Sequence, residues 1–334
     1  MKYTKLLILA VFISSALFYF NGCENSIVEP TGDDDEYLKT TAITTLFDNS
    51  DDPDNIFAND IAAFDDEGAV PDFDGATCTV PPGGFSCPID SILRHGRKLD
   101  RNSLVTVATI TNVGDSLKNV NVKKTINGVY IIVGYVQGVL DTIIKPITLE
   151  KERFVVFKRV ANTPYPRRNW RLFKLSAADG QTTVPQVGET NILLNKVEIY
   201  RNGILLETLL GPDFTQNIFS SRIFSGSGIM NFRHGDAVRI KVFLNSNQQA
   251  PDLVALHWGK RYVGHYRERI PMISQTPNGS TYDRIFERTF NISTAHRFGV
   301  FNAFISGTTF KSLFDTNTNI FSTTAGGAPY RMLP

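Results

Sequence analysis

Five histidines, three cysteines and two groups of aromatic and basic residues are where chemistry could lie in this chain of 334 residues. His257 and His265 stand eight apart in HWGKRYVGH. On a continuous strand that spacing puts both imidazoles on one face, where they could bind a metal or exchange a proton. Gly259 and Gly264 favour a turn between them, which leaves two half-exposed histidines as the plainer reading. The sequence has no Gly-x-Ser-x-Gly elbow, and FSGSG at 224–228 reads as a loop. It also has no phosphate loop and no dinucleotide fingerprint. Two aromatic–basic groups are better suited to binding. PYPRRNWR gathers Tyr165, Arg167, Arg168, Trp170 and Arg171, and HWGKRYVGHYRER gathers Trp258, Tyr262, Tyr266 and Arg267. Aromatic faces beside guanidinium groups stack on sugar rings or hold acidic polymers. The same residues can also build an ordinary strand face, with Trp in the core and Arg stems across it. No catalytic residue, metal ligand or cofactor is expected from these motifs.

Cys78 and Cys87 flank TVPPGGFS, whose Pro81-Pro82-Gly83-Gly84 turns the chain back on itself. In an oxidising compartment such a pair reads as a disulfide. Closing so short a loop stabilises the fold by about 2.5–3 kcal/mol in the chain-entropy picture. Zinc, with His95 as a third ligand, is the rival, but a structural site needs four ligands.

The third cysteine has a different setting. Lys2 and Lys5 precede fifteen uncharged residues, 6–20, and Cys23 follows at once. Fifteen residues are too few for a comfortable span, which takes about 20. They suit the apolar core of a secretion signal. The stretch Phe20-Asn21-Gly22-Cys23 resembles the lipobox of bacterial lipoproteins, with Phe20 and Asn21 departing from the commonest pattern. The resemblance implies cleavage before Cys23, a diacylglycerol on its thiol and a mature chain tied to a membrane. It also implies a bacterial cell envelope, most simply the outer membrane, with the protein periplasmic or surface-exposed. Glu24 follows, and an acidic residue there resembles a surface-export signal in some bacterial groups and an inner-membrane retention signal in others.

Charge is distributed unevenly. Residues 24–90 carry 17 acidic side chains against Lys39 alone, whereas residues 94–174 carry 16 bases against 5 acids. Such asymmetry points to a partner for one half or to a match between halves. The internal match is favoured, with the acidic segment lying partly on the basic one. Nucleic acid is a poor partner for an exported chain.

The elements that would position these groups are mostly strands. After a 1–22 signal peptide comes a polar tether, 23–40, and an acidic segment, 41–95, with short helices near Ala42–Phe47 and Ile56–Phe64. The acids do not form a calcium loop, since the sixth position from Asp48 is Pro53 where Gly is required. From 96 to 185, alternating β-branched and aromatic runs predict a first, basic β domain. Gly114-Asp115 and Asn127-Gly128 are its turns and Asp179-Gly180 its close. A second β block, 186–305, contains another hairpin at Asn202-Gly203. It resembles immunoglobulin-like domains of bacterial surface proteins in strand count and in its closing HRFGVFNAFIS, without the Cys…Trp…Cys core. Residues 306–334 read as a surface-hugging tail pinned by Phe310, Phe314, Phe321 and Tyr330. The expected class is therefore mainly β, two antiparallel sandwich-like domains in tandem behind a short acidic helical segment. The expected function is an envelope lipoprotein with a structural or protein–protein role. Glycan binding through the aromatic–basic groups is the alternative, and a hydrolase with an unrecognised site is the third reading.

Overall fold

The structure, a computed structural model, describes residues 33–47, 76–78, 87–185, 191–220, 228–258 and 266–334. In chain order the helices are α1 (Asp34–Phe47), α2 (Pro166–Asn169) and α3 (Phe310–Phe314). The strands begin with β1 (Ala76–Thr77), β2 (Ile89–Leu99), β3 (Val105–Asn112), β4 (Leu117–Val136), β5 (Val139–Arg159), β6 (Trp170–Ser176) and β7 (Ala178–Val184). They continue with β8 (Ile192–Arg201), β9 (Ile204–Leu210), β10 (Ile218–Ser220), β11 (Met230–Phe232), β12 (Ala237–Ser246) and β13 (Leu253–Trp258). The last are β14 (Tyr266–Ile270), β15 (Met272–Asn278), β16 (Thr281–Asn291), β17 (Gly299–Thr308) and β18 (Thr323–Met332).

The fold is mainly β, in two sheets. The larger, curled sheet runs β1-β2-β4-β5-β7-β18-β17-β13-β14, and the smaller runs β15-β16-β12-β8-β9. All the described pairings are antiparallel except β11 with β18. One apolar core joins the sheets: Val197, Val242, Leu244 and Phe286 of the smaller meet Val254, Leu256, Ile305 and Ala328 of the larger. A second core fills the curl, where Ile92, Ile132, Ile143 and Ile147 enclose Phe304, Leu313, Phe314 and Phe321.

The long hairpin β4–β5 is the spine. On β5 the odd positions point inward, and Lys145, Ile147, Leu149, Lys151, Arg153, Val155 and Phe157 are all buried. Its turn is Gln137-Gly138, both with positive φ (50° and 77°), as a two-residue hairpin requires. Asn127-Gly128, expected to turn the run before it back against the run after it, lies inside β4. There β4 changes partner, from β3 through Val105↔Thr125 to β2 through Leu99↔Gly128. Gly128 is needed for close approach: a Cβ would stand 2.6 Å from the Lys98 carbonyl oxygen. Gly128→Ala should cost about 1–3 kcal/mol by overpacking, read from a urea midpoint shift at unchanged slope. By contrast, Asn202 (φ 51°) and Gly203 (φ 84°) do turn β8 into β9, and Gly114 (φ 76°) turns β3 into β4.

Three other expectations are corrected. The sequence predicts a polar tether to residue 40, but α1 begins at Asp34. The Asp33 carboxylate accepts from the Asp35 N–H at 3.0 Å, three acids lie in the first turn, and Leu38 and Ala42 are fully buried. Asp179-Gly180 is not a turn but part of β7, paired with Gly326 and Ala325 of β18. The C-terminal segment is not a surface tail. Its β18 lies between β7 and β17 near the middle of the large sheet, and Phe310, Phe314, Phe321 and Tyr330 are buried. Within TTAGGAPYRM the central Gly326-Gly327 carries no side chain because the site has no room for one. A Cβ on Gly327 would stand 2.3 Å from Phe304, and one on Gly326 2.8 Å from Phe214. Strands β13, β14, β17 and β18 thus continue the sheet of β2–β7, so the large sheet crosses the boundary drawn at 185. The expected helix at 56–64 lies outside the described residues.

Part of the acidic segment does lie on the basic one. Leu38 and Ala42 of α1 pack in the core that holds Val120, Val122, Val155 and Phe157, and Asp35 pairs with Lys118. No described helix is long and apolar enough to cross a membrane.

Candidate functional site

The first aromatic–basic group is positioned by a loop between β5 and β6 that Asn169 holds. Its Oδ1 accepts from the Thr163 N–H at 2.7 Å and the Thr163 hydroxyl at 2.9 Å, while its Nδ2 donates to the Thr163 carbonyl at 2.8 Å. Pro166 then starts the single turn of α2, a place where its missing N–H costs nothing. Arg167 and Arg168 on that turn are exposed, and the Arg168 guanidinium lies 4.9 Å from the centre of the half-buried Tyr165 ring. Trp170 is only 3% exposed, with the Lys118 ammonium 5.2 Å and the Arg159 guanidinium 5.9 Å from its ring. Its indole is core, not a platform.

The next residues extend this basic surface outward. Lys158 of β5 pairs in register with Arg171 of β6, and Val156 with Lys174. Neighbouring strand residues face opposite sides, so Lys158 and Arg171 point away from buried Phe157 and Trp170. Phe173, half-buried, has the Lys158 and Lys174 ammonium groups 5.5 Å and 5.4 Å from its ring. Lys158, Arg171 and Lys174 are all exposed. Sequence reading grouped Arg171 with its chain neighbours but missed Lys158 and Lys174. The two strands each read as β, but only their register brings these cations together.

The second group does not join the first. Trp258 is 5% exposed, stacked on His296 at 5.3 Å and tilted against Phe290 at 5.0 Å. It borders an apolar cavity of about 40 Å³ between the sheets, shared with Ile240, Phe232 and Tyr330. The Tyr330 hydroxyl lies 2.8 Å from His296 Nε2, and burial pulls the His296 pKa below the usual imidazole value. Tyr266 and Arg267 belong to β14, with Arg267 opposite His257 and Tyr266 opposite Trp258. Tyr262 and His265 lie outside the described residues. His257 is buried, its Nε2 3.2 Å from the Ser306 hydroxyl. Among the described residues, no three His, Cys, Asp or Glu side chains gather as metal ligands. Cys78 and Cys87 sit at disulfide distance, their Cα atoms 6.2 Å apart, and both pack against the second core.

Inside the curl lies a set of buried cations. The Lys145 ammonium donates to the carbonyls of Ser312 and Ile320 at 2.8 Å and 2.9 Å. Burial pushes its pKa down to about 8, partly opposed by Asp315. Arg153 donates to the Ser176 carbonyl and to Asn302 Oδ1, both at 3.2 Å, and the Lys151 ammonium sits 3.9 Å over the Phe304 ring. These contacts tie β5 to β6, β17 and the α3 region. Lys145 is sealed from solvent, so no substrate reaches its amine.

No protein-family model matches the chain, and neither does any curated protein. Among solved structures, a crystal structure of the GH31 alpha-xylosidase from Xanthomonas citri aligns at 8% identity with a TM-score of 0.19. The alignment covers 77% of this chain and 37% of that one. A superposition so loose carries no argument about fold or activity.

Proposed function

We propose that this chain is a lipid-anchored protein of a bacterial cell envelope, at the outer membrane, whose β body works through contact with other molecules rather than through catalysis. The observation that supports it is the junction at Gly22-Cys23. A charged tip and fifteen uncharged residues lead to it, and the first described residue of the body, Asp33, lies only ten residues later. A diacylglycerol with a further acyl chain on Cys23 gives the two or more chains that stable anchoring needs.

The long hairpin suits a contact role. Its start, at Leu117, lies beside the α1 N-terminus, where Asp35 pairs with Lys118. Twenty residues of strand, roughly 65 Å of chain at about 3.3 Å per residue, separate its tip from that end. Around that tip Val139 (68% exposed), Leu140 (57%), Ile144, Tyr135 and Leu93 offer apolar surface to a protein partner. Among the described side chains of the two aromatic–basic groups, a glycan reading would rest on Tyr165, Arg167, Arg168 and Arg171, because both indoles are buried.

Cys23→Ser is the test of anchoring. In a bacterium that makes lipoproteins, labelled palmitate should enter the wild-type chain and not the variant. The wild type should also fractionate with membranes. Label retained in the variant would refute the anchor.

A further inference from the structure

We propose that Lys158, Arg167, Arg168, Arg171 and Lys174, with Phe173 among them, form a docking face for anionic phospholipid headgroups of the membrane that holds the lipid anchor. The assignment of which membrane rests on the anchor reading above, whereas the affinity of the face does not.

Three observations carry it. The first is charge. Five cations lie on α2 and on the outward side of β5–β6, and all are exposed. Among the described residues, no carboxylate pairs with Lys158, Arg167, Arg171 or Lys174. The acids of this end, Asp34, Asp35 and Glu36, start α1. That helix packs against Phe157 and Trp170, on the side of the sheet away from Lys158 and Arg171, and its flank also touches α2. Asp115 sits at the nearby β3–β4 turn.

The second is reach. Asp33 is ten residues from Cys23, and ten residues span at most about 36 Å fully extended. Asp35 pairs with Lys118, which lies over the Trp170 ring next to α2. The anchor therefore leaves the body at the basic end and confines it close to the bilayer.

The third is chemistry. Guanidinium groups match phosphate oxygens bidentately, and Phe173 and Val160 (55% exposed) add apolar contact at headgroup depth. An anionic surface attracts each nearby cation with roughly a fivefold gain in partitioning, and the attraction fades within a Debye length.

The test uses the mature chain from residue 23 with Cys23→Ser, so that no lipid on the protein contributes. Sedimentation with vesicles of phosphatidylglycerol and phosphatidylcholine (1:1) at low salt should recover the chain, and pure phosphatidylcholine vesicles should not. Lys158→Glu/Arg171→Glu should lower recovery at least tenfold. The equal charge change Lys98→Glu/Lys241→Glu should leave it within about twofold. Equal binding to both vesicles, or equal loss in both variants, would overturn the proposal. Binding to heparin as strong as to the anionic vesicles, lost in the same variant, would assign the face to acidic polymers and overturn it too. None of these outcomes depends on whether Cys23 is acylated, and the palmitate label reports that separately.

Discussion

Arg284→Met should lower the free energy of unfolding by about 3–5 kcal/mol, the largest effect expected of a single substitution here. Arg284 and Asp252 form an ion pair in which neither side chain is exposed at all. Arg284 also donates to Gln275 Oε1 at 2.8 Å and to the Gln248 carbonyl. Asp252 accepts from the Ser246 hydroxyl and the Phe310 N–H, each at 3.3 Å. The pair therefore clamps β16 of the small sheet to the start of β13 in the large one, and both to α3. Removing the guanidinium strands a carboxylate out of reach of water. Replacing both partners, as in Arg284→Met/Asp252→Leu, should recover much of the loss, because no buried charge is then orphaned. Urea unfolding of the two variants checks this. A single variant as stable as wild type would show that the clamp contributes nothing.

His95 carries the second. It is buried inside the curl, with Nδ1 2.5 Å from the Tyr130 hydroxyl. Burial, and then the cations of Arg97 and Arg269, hold its pKa down at about 4 against an ordinary 6.5. The unfolded chain takes up a proton below pH 6.5, whereas the native chain resists until about pH 4. The contribution of His95 is thus complete above pH 6.5 and lost as pH falls from 6.5 to 4. A gap of that width corresponds to about 3 kcal/mol. Burial also pushes Asp179 up to about 6, which acts in the opposite sense: its cost to the native state fades as pH falls through 6. A difference curve isolates the histidine. Stability of wild type minus His95→Gln should drop by about 3 kcal/mol between pH 7 and pH 4. A flat difference would mean that the buried imidazole is not neutral in the native state.

Much of the fold was legible in the sequence, and the failures share a cause. Alternation of β-branched and aromatic residues identified β3, β4, the second half of β5 and β6, whereas most of β2 fell inside the acidic segment expected to carry short helices; Asn202-Gly203 marked a true turn because both residues take positive φ. Asn127-Gly128 carries the same dipeptide, but there Gly serves close backbone approach to Lys98. The need is non-local, and local sequence does not encode it. β18 went unread because a central strand packed under Phe214 and Phe304 must be small, and Gly326-Gly327 reads as a loop. On β5, alternation alone does not say which side is inward. Lys145, Lys151 and Arg153 share the buried face with Ile147 and Leu149; the carbonyls of Ser312 and Ile320 receive Lys145, Ser176 and Asn302 receive Arg153, and the Phe304 ring lies under Lys151.

The candidate surfaces follow the same division. Arg167 and Arg168 were visible as a pair on one loop. That Trp170 and Trp258 would be buried, leaving the arginines rather than the indoles exposed, depends on packing from α1, His296 and Phe290. Lys158 and Lys174 join the basic face only through the β5–β6 register.

The proposed anchoring, and with it the membrane to which the basic face is assigned, depends on how the chain begins once it is made. Mass spectrometry of the amino-terminal peptide, from protein purified out of a bacterial envelope, reads this directly. The account predicts a chain that starts at Cys23, with diacylglycerol on sulfur and the mass of at least two acyl chains. An unmodified Cys23, or a mature chain starting at any other residue, would contradict it.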